Sequence, residues 1–143
     1  MLIKLYAGCA LTNAPKKFKQ DVVGLKEGFK KLPDVQVLEF LGLVKGTAYD
    51  VYTHDIINCV GECDLMVGIC DYPSIGLGWE MSTQVKRGKP LLAFGRNDSK
   101  ITRLILDPRL PNYRFFRYQR FDNIFETVTV AIQMIRLGIS LTA

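Results

Sequence analysis

The stretch Asp71-Tyr72-Pro73-Ser74-Ile75-Gly76-Leu77-Gly78-Trp79-Glu80 gathers residue types suited to chemistry on a small ligand. Pro73 stiffens a chain leaving a strand. Gly76 and Gly78 carry no side chain, so a ligand can approach their backbone. A helix beginning here offers free N–H groups to negative charge. Ser74 is placed either to cap that helix or to bond a ligand hydroxyl or phosphate. Glu80 reads as a first-turn residue, where a carboxylate is held as the anion and is available as a nucleophile. An anion of that kind is not also a proton donor, so a separate group must handle protons. The plain alternative is that Glu80 merely satisfies the helix's first turn, and one Gly-x-Gly is not a full G-x-G-x-x-G fingerprint.

The flanking sequence alternates strand and helix. Residues 2–7 form a short apolar run that ends at Gly8, a first strand. Asn13 and Pro15 mark a helix start. Phe18, Val22, Leu25, Phe29 and Leu32 then step by four and three, with lysines 16, 17, 19, 26, 30 and 31 on the other face. A second strand is expected over 35–40, followed by a glycine-containing loop. Tyr49, Tyr52, Ile56, Cys59 and Cys63 predict a second helix over about 50–62. Residues 65–70 are continuously apolar, as in a central parallel strand covered on both faces. A third helix over about 76–87, strands at 90–94 and 113–116, a short helix at 99–106 and a last helix from Phe121 complete the pattern. The expected architecture is a doubly wound, flavodoxin/Rossmann-like α/β fold. It has five parallel strands with helices on both faces, in one domain over 1–143. Such sheets bind ligands beyond the carboxyl ends of their strands, where strand order reverses. That rule selects the loops at 8–13, 71–78 and 95–99.

Composition narrows the function classes. The chain has 143 residues, 48% hydrophobic and 23% charged, which excludes disorder and gives one domain. No run reaches the length of a membrane span, and the N-terminus is too short and mixed for a signal peptide. The net charge of +5 is too diffuse for a nucleic-acid polymer partner. It fits a solvated basic surface, or a small anionic ligand. Cys9, Cys59, Cys63 and Cys70 lack a C-x-x-C pair, so reduced thiols in a cytoplasmic protein are expected. Metal binding wants histidine partners, and the chain has only His54. Neither a metal nor a cofactor is expected.

The segment Asp55 to Glu80, with its P-S-x-G-x-G-[YW]-E string, resembles the nucleoside 2-deoxyribosyltransferase family, including its 2'-deoxynucleoside 5'-monophosphate N-hydrolase branch. Gly88-Lys89-Pro90 before an apolar strand, and Ala7-Gly8 before Leu11-Thr12, are similar to further family features. The resemblance implies cleavage of an N-glycosidic bond in a nucleoside or nucleotide. Glu80 would attack C1' to give a glycosyl-enzyme, which passes to a second base or to water. It implies Asp55 as the proton-handling partner, Gly8, Ser74, Gly76 and Gly78 as substrate-binding positions, and Arg103 at the phosphate end. It also implies a homo-oligomer, in which the region of Arg103 reaches a neighbouring subunit's site.

Two spacings depart from the family. Asp55 and Asp64 are nine positions apart, one more than the hydrolase branch, so either the helix end absorbs a residue or Asp55 is displaced. Tyr6 stands two before Gly8, and a one-residue slip in a strand turns a side chain to the other face. Tyr6 is therefore either a core residue or a substrate-binding one. Three functions stay open: glycosyl transfer to a base, hydrolysis, and nucleotide binding without turnover.

Overall fold

A computed structural model of the protein describes residues 1–41 and 46–141. The expected loop after the second strand falls partly at 42–45, outside the described residues. Five parallel strands lie in the order β2-β1-β3-β4-β5. They are β1 (Ile3–Cys9), β2 (Val35–Leu38), β3 (Leu65–Ile69), β4 (Leu91–Arg96) and β5 (Tyr113–Tyr118). The helices are α1 (Lys16–Lys30), α2 (Ala48–Tyr52), α3 (Ile75–Lys86) and α4 (Phe121–Arg136). This is the doubly wound α/β architecture that the sequence implies.

Alternation along the strands divides the core. Ile3, Leu5, Ala7 and Cys9 of β1 face α1 and α4, where Phe18, Val22, Phe29, Ile124 and Val128 complete one apolar cluster. Tyr6 faces the other way, toward Met66, Leu77, Met81 and Leu91. β3 is buried at every residue, as its unbroken apolar run requires. Asp64 anchors its start, accepting the Lys4 N–H at 2.8 Å. The four cysteines are free thiols, and Cys9, Cys59 and Cys63 are buried. No helix among the described residues is long and apolar enough to cross a membrane.

Several elements differ from expectation. The short helix at 99–106 reduces to one 3-10 turn, Arg103–Ile105. There the Thr102 hydroxyl accepts the Leu104 N–H, and Pro108 blocks continuation. Strands β4 and β5 run on to Arg96 and Tyr118 because the two pair through Gly95↔Arg117 and Arg96↔Tyr118. The second helix is three helices in series. After α2 the chain opens into a π-helix, Thr53–Cys59, where the Val60 N–H donates to the Asp55 carbonyl five residues back. A 3-10 turn, Val60–Glu62, follows. A π turn holds one residue more than an α turn, so the helix absorbs the extra residue between Asp55 and Asp64.

The β1–β3 register sets Gly8 beside Gly68. A Cβ on Gly68 would stand 3.0 Å from the Met81 sulfur, and one on Gly8 3.1 Å from Glu80 Oε1. Two missing side chains on neighbouring strands thus let α3 lie close against the sheet, with Glu80 over Gly8.

Candidate active site

β1 and β3 are neighbours whose chains depart to opposite sides of the sheet, which makes their carboxyl ends the topological switch point. The loops after these two strands border a cleft of about 410 Å³ lined by Ala10, Thr12, Asn13, Pro73, Ser74, Ile75 and Gly76. Ser74 is the N-cap of α3, its hydroxyl oxygen accepting the Leu77 N–H at 3.1 Å. The hydroxyl proton is not used by that bond. Gly76 shares this cleft. Gly78 instead borders an apolar groove with Met81, Ser82, Val85 and Leu104.

Glu80 is buried, at 9% exposure. One oxygen, Oε2, accepts the Tyr6 hydroxyl at 2.6 Å. The other faces Gly8, where no side chain competes for space. Glu80 is the sixth residue of α3, which begins at Ile75 and has no acidic residue in its first turn. The free N–H groups that would hold it as an anion are therefore spent before its position, and burial dominates. Burial pushes its carboxyl up to about 7, the negative charge of Asp55 adds to the rise, and the Tyr6 bond and Lys26 oppose it. The expectation of a first-turn anion is corrected accordingly: Glu80 is a buried acid balanced near neutrality.

Tyr6 is a core residue whose hydroxyl reaches Glu80. It is 1% exposed within the apolar cluster, and its hydroxyl ends on the carboxylate. Residues 6 and 8 share strand parity, so Gly8 and Tyr6 face α3 together. Burial and the neighbouring carboxylates drive the Tyr6 phenol far above its ordinary value, so it is a hydrogen-bond donor at every relevant pH.

Asp55 sits on the π turn. Its Oδ1 accepts the Leu41 N–H at 2.8 Å, and burial raises its carboxyl above the ordinary value against that bond. Its charge is felt by Glu80, Tyr6 and Cys59 alike. The structure therefore brings Glu80, Tyr6, Asp55 and Gly8 together, with Ser74 and Gly76 at the adjoining cleft. Arg103 is exposed and has no hydrogen bond or ion pair to this group among the described residues. Tyr72 packs edge-on against Phe18 at 4.9 Å, whereas Trp79 is 61% exposed.

Two buried charged side chains beside this group escape a reading of the sequence. Asp71 is buried at the end of β3 and accepts the Arg96 N–H at 2.5 Å, the Ser99 hydroxyl at 3.3 Å and the Tyr118 hydroxyl. Lys26, expected on the solvated face of α1, is 4% exposed. It follows Val22 by four, a spacing that places it on the apolar stripe, and only its charge argued otherwise.

No protein-family model matches the chain. Over 91 residues it is 30% identical to "Putative 2'-deoxynucleoside 5'-phosphate N-hydrolase 1" of Thermofilum pendens. That match takes in 62% of this chain and 63% of the relative, so it spans less than two thirds of the relative's length. The fold is similar to that of the CMP N-glycosidase BcmB of Clostridium botulinum. There the TM-score is 0.67 at 15% identity, covering 88% of this chain and 98% of that one. A conserved protein from Enterococcus faecalis V583 matches with a TM-score of 0.55 at 9% identity, covering 92% of this chain and 99% of that one. The resemblance to the nucleoside 2-deoxyribosyltransferase family, read first from the loop before Glu80, is borne out by these relatives.

Proposed function

We propose that this chain is an enzyme that cleaves the N-glycosidic bond of a nucleoside 5'-monophosphate, with water as the final acceptor. The observation that carries this reading is the Tyr6–Glu80 pair, a buried carboxylate that has one hydrogen-bond donor among the described residues, at the switch point of the sheet. Two relatives named for hydrolysis of such bonds support water over a second base.

In this mechanism ionised Glu80 attacks C1' of the sugar. The C1'–N bond breaks and its electron pair leaves with the base, which takes a proton from Asp55. Burial raises the Asp55 carboxyl, which favours its protonated form before this step. Water then attacks C1' of the glycosyl ester, gives its proton to Asp55, and releases Glu80. Tyr6 orients Glu80 and favours its charged form. Ser74 and the start of α3 receive the 5'-phosphate, where free N–H groups and an unspent hydroxyl proton suit an anion. Gly8 keeps the space above the carboxylate clear for the sugar. Arg103 serves the phosphate end in a homo-oligomer, from one subunit to the next.

The test incubates the protein with ribo- and deoxyribonucleoside 5'-monophosphates, and with the nucleosides, and measures free base by chromatography. Base is expected from monophosphates alone, and none from Glu80→Ala. Base appearing only when a second base is supplied would instead establish transfer. Nucleotide binding by wild type without any release would establish a non-catalytic module and overturn the reading.

A further inference from the structure

Lys26 is the buried cation among the described residues, and this mechanism leaves it unused. Its ammonium lies 3.5 Å from Glu39 Oε2 and 3.7 Å from the centre of the Phe40 ring. A buried ammonium is costly unless paired, and Glu39 is itself half exposed. Glu39 also pairs with Lys30 at 3.0 Å.

The segment that Lys26 grips is held from its other side as well. β2 ends at Leu38, so residues 39–41 have no strand ladder to fix them. The Glu39 carbonyl accepts from His54 Nε2 at 2.5 Å and from the Cys59 thiol at 3.3 Å, both on the π turn. The Leu41 N–H donates to Asp55. Three residues thus bridge α1 to the π turn, with Lys26 on one side and Asp55 on the other. The charge reaches further. Tyr6 from β1, Asp55 from the π turn and Lys26 from α1 are the groups acting on Glu80, and Lys26 is the cation among them. Burial lowers the Lys26 ammonium from its ordinary value; Glu39 and Cys9 oppose the loss of its proton, and Lys30 favours it.

We propose that Lys26 is a positioning residue of the Glu80 site. Its buried ammonium clamps residues 39–41 between α1 and the π turn, which fixes Asp55. The role in catalysis rests on the glycosidic reading above; the effect on Glu80 does not.

The test compares Lys26→Met, which keeps the stem and loses the charge, with Lys26→Arg, which keeps the charge. The first readout is the infrared carboxyl band of Glu80 against pH in the ligand-free protein, assigned by its loss in Glu80→Gln. The midpoint is expected to rise by about half a unit or more in Lys26→Met and to return toward wild type in Lys26→Arg. The second readout is the pH profile of kcat with a nucleoside 5'-monophosphate, whose acid limb is expected to move by the same amount. If Lys26→Met loses its fold by circular dichroism, Lys26→Gln, which still reaches Glu39, takes its place. A folded, charge-free variant with an unmoved Glu80 midpoint overturns the proposal. Absence of base release from wild type overturns the glycosidic reading instead, and leaves the infrared result to decide the effect on Glu80.

Discussion

Asp71 opens the loop after β3 and Glu80 lies beyond that loop on α3; each is 9% exposed, yet their surroundings are opposite. Asp71 accepts from the Arg96 backbone, the Ser99 hydroxyl and the Tyr118 hydroxyl, tying the end of β3 to β4 and β5. Its acceptor capacity is spent on the scaffold. Glu80 accepts from Tyr6, and its second oxygen looks at the bare backbone of Gly8. Equal burial therefore does not distinguish a latch from the acid proposed to react; the donors found among the described residues do. A carboxylate bonded from three sides holds strands together, while one with a single donor in a dry site has its affinity for protons raised and an oxygen free to react.

Exchanging the two losses tests this contrast most severely. Glu80→Gln is isosteric and is expected to cut turnover by at least about a thousandfold, roughly 4 kcal/mol of barrier, while leaving the fold as stable as wild type at neutral pH. Asp71→Ala leaves an N–H and two hydroxyls inside the protein without an acceptor. It is expected to cost about 3 kcal/mol of stability, or roughly 10 °C in Tm for a domain of this size. Urea unfolding together with the base-release assay measures both. A Glu80 variant that unfolds more readily than the Asp71 variant breaks the distinction.

The proton affinity of Glu80 sharpens it. A folded-state value of about 7 against 4.5 in the unfolded chain means that the folded state holds more protons between those pH values. Its contribution to stability is fully present below about 4.5 and is lost as pH rises through 7, at most about 3 kcal/mol in all. Glu80→Gln lacks this titration, so its stability should fall less steeply than wild type over that window. Parallel curves for the two proteins would show that Glu80 is not held in a desolvated state. Tyr6→Phe is the milder change. It removes the bond that favours the anion, so the Glu80 midpoint rises further and the acid limb of kcat moves up. About tenfold is lost at pH 7, with partial recovery toward pH 8.5.

The parts of this arrangement differ in how plainly the sequence declares them. The unbroken apolar run of β3 and the stripe Phe18-Val22-Leu25-Phe29 report burial directly, because burial is what selects those residues. The ends of β4 and β5 are set by pairing with each other, which no local pattern records. Strand parity already placed Tyr6 on the side of Gly8, but comparison with family spacing obscured it. The extra residue before Asp64 signalled an irregular helix without saying that it would be a π turn. Lys26 follows its helical spacing and not its charge, and Glu80 lies beyond the first turn whether the helix starts at 75 or 76, so burial, which no local pattern records, sets its proton affinity. The loop that carries the family resemblance was legible throughout. The donors that separate Asp71 from Glu80 come from β1, β4 and β5, and only folding brings them together.

Ser74 lies between the two carboxylates and gives the smallest effect. Its hydroxyl oxygen accepts the Leu77 N–H, so Ser74→Ala should lose about 1 kcal/mol through an uncapped helix. That loss alone would class it with Asp71 as part of the scaffold. Among the described residues, however, the hydroxyl proton has no acceptor, and Ser74 lines the cleft together with Gly76. If it also donates to a 5'-phosphate, Ser74→Ala raises KM for a nucleoside monophosphate several-fold and leaves kcat and the KM for the unphosphorylated nucleoside unchanged. If KM is equal for wild type and variant, Ser74 only caps the helix, and the boundary between scaffold and site falls after position 74 instead of before it.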